Sequence, residues 1–123
     1  MSKTPIYVSF DYDNDAILKQ FVIGQSKLPE SPFDVVDHSI KQAVSGNWEA
    51  EAETRIKKSD VVLVVVGQQT HSAQGVKKEI AIARKHNKKV AQVIGYKDSN
   101  PTPVPDAGRL YRWSWDNLKT ILE

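Results

Sequence analysis

Apolar residues gather along this chain into short runs parted by polar turns. Six successive aliphatic residues, Val61 to Val66, form the most apolar of them, and five of the six are valine. Such a run suits a strand buried on both faces, as in the middle of a parallel sheet. Ile6 to Phe10 alternates, with Ile6, Val8 and Phe10 on one side, and predicts the first strand. Phe33 to Val36, Val90 to Ile94 and Leu110 to Trp113 predict the second, fourth and fifth. Between these runs the spacing turns helical. A first helix is expected from Ala16 to Ile23, with Ile17, Phe21 and Leu18 facing in, acids at Asp11 to Asp15 offering N-caps, and Gly24 stopping it. A second covers Trp48 to Lys58, with Ala52 and Ile56 on one face and Lys57 and Lys58 in the last turn, where the dipole favours cations. A third runs from Gln74 to His86 and ends at Asn87. A last one covers Asp116 to Leu122. Ile40 to Gly46 reads as irregular or one helical turn, and the proline-bearing stretches Leu28–Pro32 and Asp98–Gly108 read as loops.

Regular alternation of strands and helices argues an α/β domain, a parallel sheet with helices on both faces. Right-handed crossovers leave few topologies. For five strands the expected one is the three-layer flavodoxin-like arrangement of order 2-1-3-4-5, a single domain over residues 1–123. It places the switch point between strands one and three, so that residues after Phe10 and after Val66 border one crevice.

Composition narrows the class without naming a function. The chain has 123 residues, 40% hydrophobic and 26% charged, with a net charge of +2, as expected of a globular domain of this length. So small a charge, with lysine pairs scattered at 57–58, 77–78 and 88–89, argues against a nucleic-acid partner. No apolar run approaches the roughly 20 residues of a membrane span, and the first ten residues lack a signal-peptide core. There is no cysteine, hence no disulfide or thiolate metal site. The expected location is the cytoplasm.

Several α/β chemistries fail at the crevice. Asp11-Tyr12-Asp13-Asn14-Asp15 after strand one would repel the phosphate that a flavodoxin holds there. A phospho-receiver needs an acceptor Asp at the end of strand three, where this chain has Gly67-Gln68. Neither a phosphate-binding P-loop nor G-x-G-x-x-G is present, and no Gly-x-Ser-x-Gly elbow. Asp11, Asp13 and Asp15 imitate the start of a calcium loop, but the sixth position is Ala16 and the twelfth Val22. Calcium binding in that mode is excluded, and the acids read as decoration of a helix N-terminus, with a looser magnesium site as the alternative. His38, His71 and His86 lack ligand spacing. His86 is expected at a solvated helix end, and His71 borders the crevice by position.

Glu79 is the residue whose placement asks for an explanation. At 100° per residue, Val76, Ile80 and Ala83 form an apolar arc of about 60°, and Glu79 falls between Ala83 and Ile82, at the edge of the buried stripe. Its carboxylate therefore points towards the sheet side of its helix, near the N-terminal end. A half-buried carboxylate is costly unless it is hydrogen-bonded or functional. Placement alone leaves both readings open: a structural Glu paired with amides or a cation, and a catalytic one.

Four pieces of sequence, in order, resemble one family. They are Tyr7-Val8-Ser9-Phe10-Asp11-Tyr12 at strand one, Asp37-His38-Ser39 after strand two, Ile56-Lys57-Lys58-Ser59-Asp60 leading into the valine strand and Gly67-Gln68-Gln69-Thr70, and Val76-Lys77-Lys78-Glu79-Ile80. Together they resemble the TIR-like family of bacterial anti-phage proteins, the TIR-like subunit of Thoeris systems and its small archaeal relatives. The likeness runs from Tyr7 to about Tyr96. It departs at Gly75, where the family has tryptophan.

What the resemblance implies is a flavodoxin-like, TIR-like fold that cleaves NAD at the nicotinamide–ribose bond. The products would be nicotinamide and a cyclic or conjugated ADP-ribose, an immune signal read by a separate effector. NAD would be a substrate, with no cofactor and no metal. Glu79 matches the family's catalytic Glu, and a carboxylate suits the oxocarbenium-like ribose formed as nicotinamide leaves. Ser9, Phe10 and Asp11 would line the other wall, Phe10 by stacking unless it belongs to the core. Asp37 and Ser39 would border the pocket or serve in a turn. Thr70, His71 and Ser72 would contact phosphates or cap the helix that follows. TIR sites are often completed by a neighbouring subunit, which implies a homo-oligomer. Two other classes fit the same pattern: a non-catalytic TIR-like interaction module, and a nucleoside deoxyribosyltransferase-like enzyme in which Glu79 is a covalent nucleophile.

Overall fold

The structure, a computed structural model, describes residues 3–35, 48–96 and 100–122. Five strands, β1 (Thr4–Ser9), β2 (Phe33–Val35), β3 (Val61–Val66), β4 (Lys89–Ile94) and β5 (Leu110–Tyr111), form one sheet of order β2-β1-β3-β4-β5. Every pairing is parallel. This is the expected α/β, flavodoxin-like topology, with its switch point between β1 and β3. The helices are α1 (Tyr12–Ser26), α2 (Trp48–Lys58), α3 (Gln74–Lys85) and α4 (Trp115–Leu122), with a 3-10 turn at Thr70–Ser72.

The period of two in β3 sorts the core into two layers. Val62, Val64 and Val66 join Tyr7 of β1 beneath Ala52 and Ile56 of α2 and Val76, Ile80 and Ala83 of α3. Val61, Leu63 and Val65 join Ile6 beneath Leu18 and Val22 of α1 and Leu118 and Ile121 of α4. All six β3 side chains are buried, which is why that segment carries no polar residue.

Helix ends are closed by side chains and by backbone. Lys3, just before β1, donates to the Ser26 carbonyl at 2.6 Å at the end of α1, and Lys89 at the start of β4 donates to Ile121 near the end of α4. Both lysines place a cation against free carbonyls at the negative end of a helix dipole. α3 ends in a Schellman motif: Asn87 takes φ 57°, its N–H reaches the Arg84 carbonyl, and the Lys88 N–H reaches Ala83 at 2.9 Å.

Three expectations are corrected. α1 starts at Tyr12 and continues to Ser26, so Asp13 and Asp15 are helical by position and Gly24 does not stop it. A Cβ at Gly24 would meet nothing within 4 Å. It is an ordinary helical glycine on an open face, a weak breaker that its packed neighbours override. α1 also buries Leu18 and Val22, while Ile17 is 67% and Phe21 39% exposed. Both pairs are spaced i, i+4, so spacing alone could not choose between them. The fifth strand stops at Tyr111, short of the expected Trp113. The expected turn at Ile40–Gly46 lies outside the described residues.

Candidate functional site

Glu79 occupies the second turn of α3, on the face laid against the sheet, and is 8% exposed. Two strand residues reach it. The Ser9 hydroxyl, at the carboxyl end of β1, donates to Glu79 Oε1 at 2.6 Å. The Tyr7 hydroxyl donates to Oε2. Tyr7 and Ser9 are two apart in a strand, so the pleat puts both on the α3 side, opposite Ile6 and Val8. The parallel register sets them beside Val62 and Val64 of β3, whose side chains line the same apolar layer.

This setting controls the charge of the carboxyl group. Burial is the dominant influence and raises its pKa to about 7, while the donors Ser9 and Tyr7 pull the other way. No cation is among the causes. The site is a carboxylate desolvated by valines and kept partly ionised at neutral pH by two neutral donors.

The other expected residues distribute unevenly. Phe10 and Asp11 follow Ser9 directly and are both buried, 6% exposed each, at the β1 end of the crevice. Thr70 is fully buried, and its Oγ1 accepts from the Gly67 N–H at 2.7 Å, closing the turn after β3. The Ser72 hydroxyl donates to the Gln69 carbonyl at 3.1 Å and faces solvent. His71 between them is half-buried, with its Nδ1 enclosed and without a hydrogen-bond partner. None of the three caps α3. Its N-cap is Ala73, without a side-chain cap bond, because the 3-10 turn takes up the polar side chains before α3 begins. Asp37 and Ser39 lie outside the described residues.

Tyr7 was not among the expected site residues, although the alternation of β1 that sets Ile6 and Val8 on one side puts Tyr7 and Ser9 on the other. His86 is corrected too. It is not a solvated end residue: its side chain is 23% exposed and its Nε2 lies 2.6 Å from Glu53 Oε2 of α2. Lys85 approaches the same oxygen at 3.4 Å.

A family described as Thoeris protein ThsB, TIR-like domain, matches residues 7–100. The chain belongs to this family. The matched span opens on Tyr7 and contains Ser9 and Glu79. A search of curated proteins finds no match. No helix among the described residues is long and apolar enough to cross a membrane.

Proposed function

We propose that this TIR-like domain cleaves NAD at the nicotinamide–ribose bond, with Glu79 as the catalytic carboxylate, and releases nicotinamide and a cyclic or conjugated ADP-ribose that serves as a signal in anti-phage defence. The observation that carries the reading is Glu79 itself: a buried carboxylate at the carboxyl end of β1, held by two hydroxyls and countered by no cation among the described residues. No lysine or arginine among the described residues offsets it, which leaves its negative charge to act on a ligand.

The chemistry follows from that charge. As the bond to nicotinamide lengthens, positive charge grows on the ribose ring carbon and oxygen. A carboxylate fixed beside it in a desolvated site stabilises that charge more strongly than it would in water. Ser9 and Tyr7 each occupy one lone pair of Glu79, so each oxygen retains acceptor capacity for a ribose hydroxyl. Capture of the ribose by an internal nucleophile, by a conjugating partner or by water decides the product. NAD is the substrate, no cofactor is required, and the product would act through an effector.

Release of nicotinamide by purified protein and by Glu79→Gln, at high protein concentration, tests the reading. Turnover in the first and its loss in the second, with both folded, supports it. Equal turnover removes Glu79 from the mechanism. The alternative, a non-catalytic interaction module, draws on Gly75, half-buried in the first turn of α3, where the family's tryptophan would stand. Absence of turnover in the folded protein, alone and in lysate of phage-infected cells, selects it. Base exchange on deoxynucleosides without NAD turnover selects a deoxyribosyltransferase.

A further inference from the structure

We propose that Tyr7 is a positioning residue for Glu79: its hydroxyl, acting with that of Ser9, fixes the orientation of the carboxylate and holds it in the ionised form that the reaction uses. This rests on the reading of Glu79 as catalytic, and it adds to that reading a residue on another element and a distinct consequence.

The geometry carries it. The Tyr7 ring is buried in the apolar layer with Val62, Val64 and Ile80, so the ring is anchored by packing and only its hydroxyl is turned to the carboxylate. Ser9 takes the other oxygen at 2.6 Å. With one donor on each oxygen, the plane of the carboxyl group is set by β1 rather than by α3, on which it is carried. Rotation of the Glu79 side chain away from β1 would break both bonds at once. A hydroxyl donates more strongly to a carboxylate than to a neutral carboxyl, whose protonated oxygen is the poorer acceptor. Both bonds as drawn therefore favour the ionised form, against the burial that opposes it.

Other ionisable groups stand further from this task. On β1 the next is Asp11, buried after Ser9. On the 3-10 turn it is His71. On α3 itself Lys78 is exposed and bonds Glu49 of α2 at 2.9 Å. Further along the two helices, Glu53 is shared by Lys85 and His86, and Arg55 approaches Glu51 at 4.0 Å. None of these is among the causes of the Glu79 shift, so the two hydroxyls are the groups whose removal should move it.

The test separates ionisation from structure. Tyr7→Phe keeps the ring and deletes the donor. The Glu79 carboxyl is titrated by carbon-detected NMR in the wild type, in Tyr7→Phe, in Ser9→Ala, and in a protein carrying 3-fluorotyrosine at position 7, whose more acidic phenol is a stronger donor. The rate of nicotinamide release is recorded against pH for each. The expected result is a midpoint raised by about one pH unit or more in Tyr7→Phe and in Ser9→Ala, and lowered by fluorotyrosine. The acid limb of the rate profile should move with the midpoint, so that the deficit of Tyr7→Phe on that limb exceeds its deficit at high pH by about tenfold, the part that remains at high pH being the lost orientation. An unmoved midpoint, or a rate reduced by the same factor at every pH, overturns the proposal. If Tyr7→Phe does not fold, the fluorotyrosine protein decides alone. If the wild type releases no nicotinamide at any pH, alone and in lysate of phage-infected cells, the catalytic reading of Glu79 fails, and the titration still decides whether Tyr7 controls its ionisation.

Discussion

Gln92 and Val104 are bonded edge to edge in the interior: the Gln92 amide oxygen accepts from the Val104 N–H at 2.8 Å, and its nitrogen donates to the Val104 carbonyl at 3.2 Å. The same nitrogen reaches the Gly108 carbonyl at 2.6 Å. One fully buried side chain of β4 thus supplies the backbone partners that the stretch before β5 would otherwise lack. Gln92→Leu preserves size but strands these groups. It is expected to cost about 2–3 kcal/mol, read as a lower denaturant midpoint with an unchanged slope.

Glu79→Gln should separate stability from activity. In the wild type the folded-state pKa is raised from 4.5 to about 7. Stability from this group is therefore complete below pH ~4.5 and is lost as pH rises through ~7, by about 3 kcal/mol. A neutral glutamine escapes that loss. The variant should melt higher than the wild type at pH 8 and show no such advantage at pH 4.5, while nicotinamide release falls roughly 100-fold or more.

The Glu53–His86 contact predicts a second, opposite dependence. Hydrogen bonds from His86 and Lys85 hold the Glu53 carboxyl below its usual range. A lowered folded-state pKa gives stability that is present above the unfolded value and lost as pH falls through the folded one. Glu53→Gln should therefore flatten the acid side of the melting-temperature profile, below pH ~4.5, and leave the neutral and alkaline side in place.

Gly95 closes the carboxyl end of β4. Its N–H donates to the Val66 carbonyl at 2.9 Å, and a Cβ there would lie 2.7 Å from Leu18 Cδ1 and 3.0 Å from Val65 Cγ1. Leu18 can turn its end away, but Val65 is fully buried and stiff at χ1. Gly95→Ala should cost about 1–3 kcal/mol in thermal or denaturant unfolding, and Gly95→Val more.

The architecture could be read from the sequence because the valine run, the alternation at β1 and the four helical segments agree at every level. The buried edge position of Glu79 followed from angular spacing. What escaped the sequence has specific causes. In α1, Ile17/Phe21 and Leu18/Val22 offer two equivalent apolar stripes, and the choice depends on packing with α4 and Trp113, whose ring lies 5.0 Å from that of Phe21. Tyr7 reads as a core aromatic, and it is one. Its second role depends on a carboxylate 72 positions away, which no local pattern reports. The partner of His86 is 33 positions back, on α2. The misses at Tyr7 and His86 are side-chain bonds across elements, whereas each success is a period within one.

The clasp between β1 and Glu79 also bears on how the domain is born. Its donors stand near the amino terminus, its acceptor on the fifth α-helix or strand beyond them among the described elements, and the parallel pairing of β1 with β3 must form before they meet. Such distant contacts form late and together with the bulk of the fold. A nascent or partly opened chain carries the glutamate without its two hydroxyls, so reactivity appears with global folding and vanishes with it. Under the proposed NAD-cleaving reading, the domain would thus be inert while it is being made.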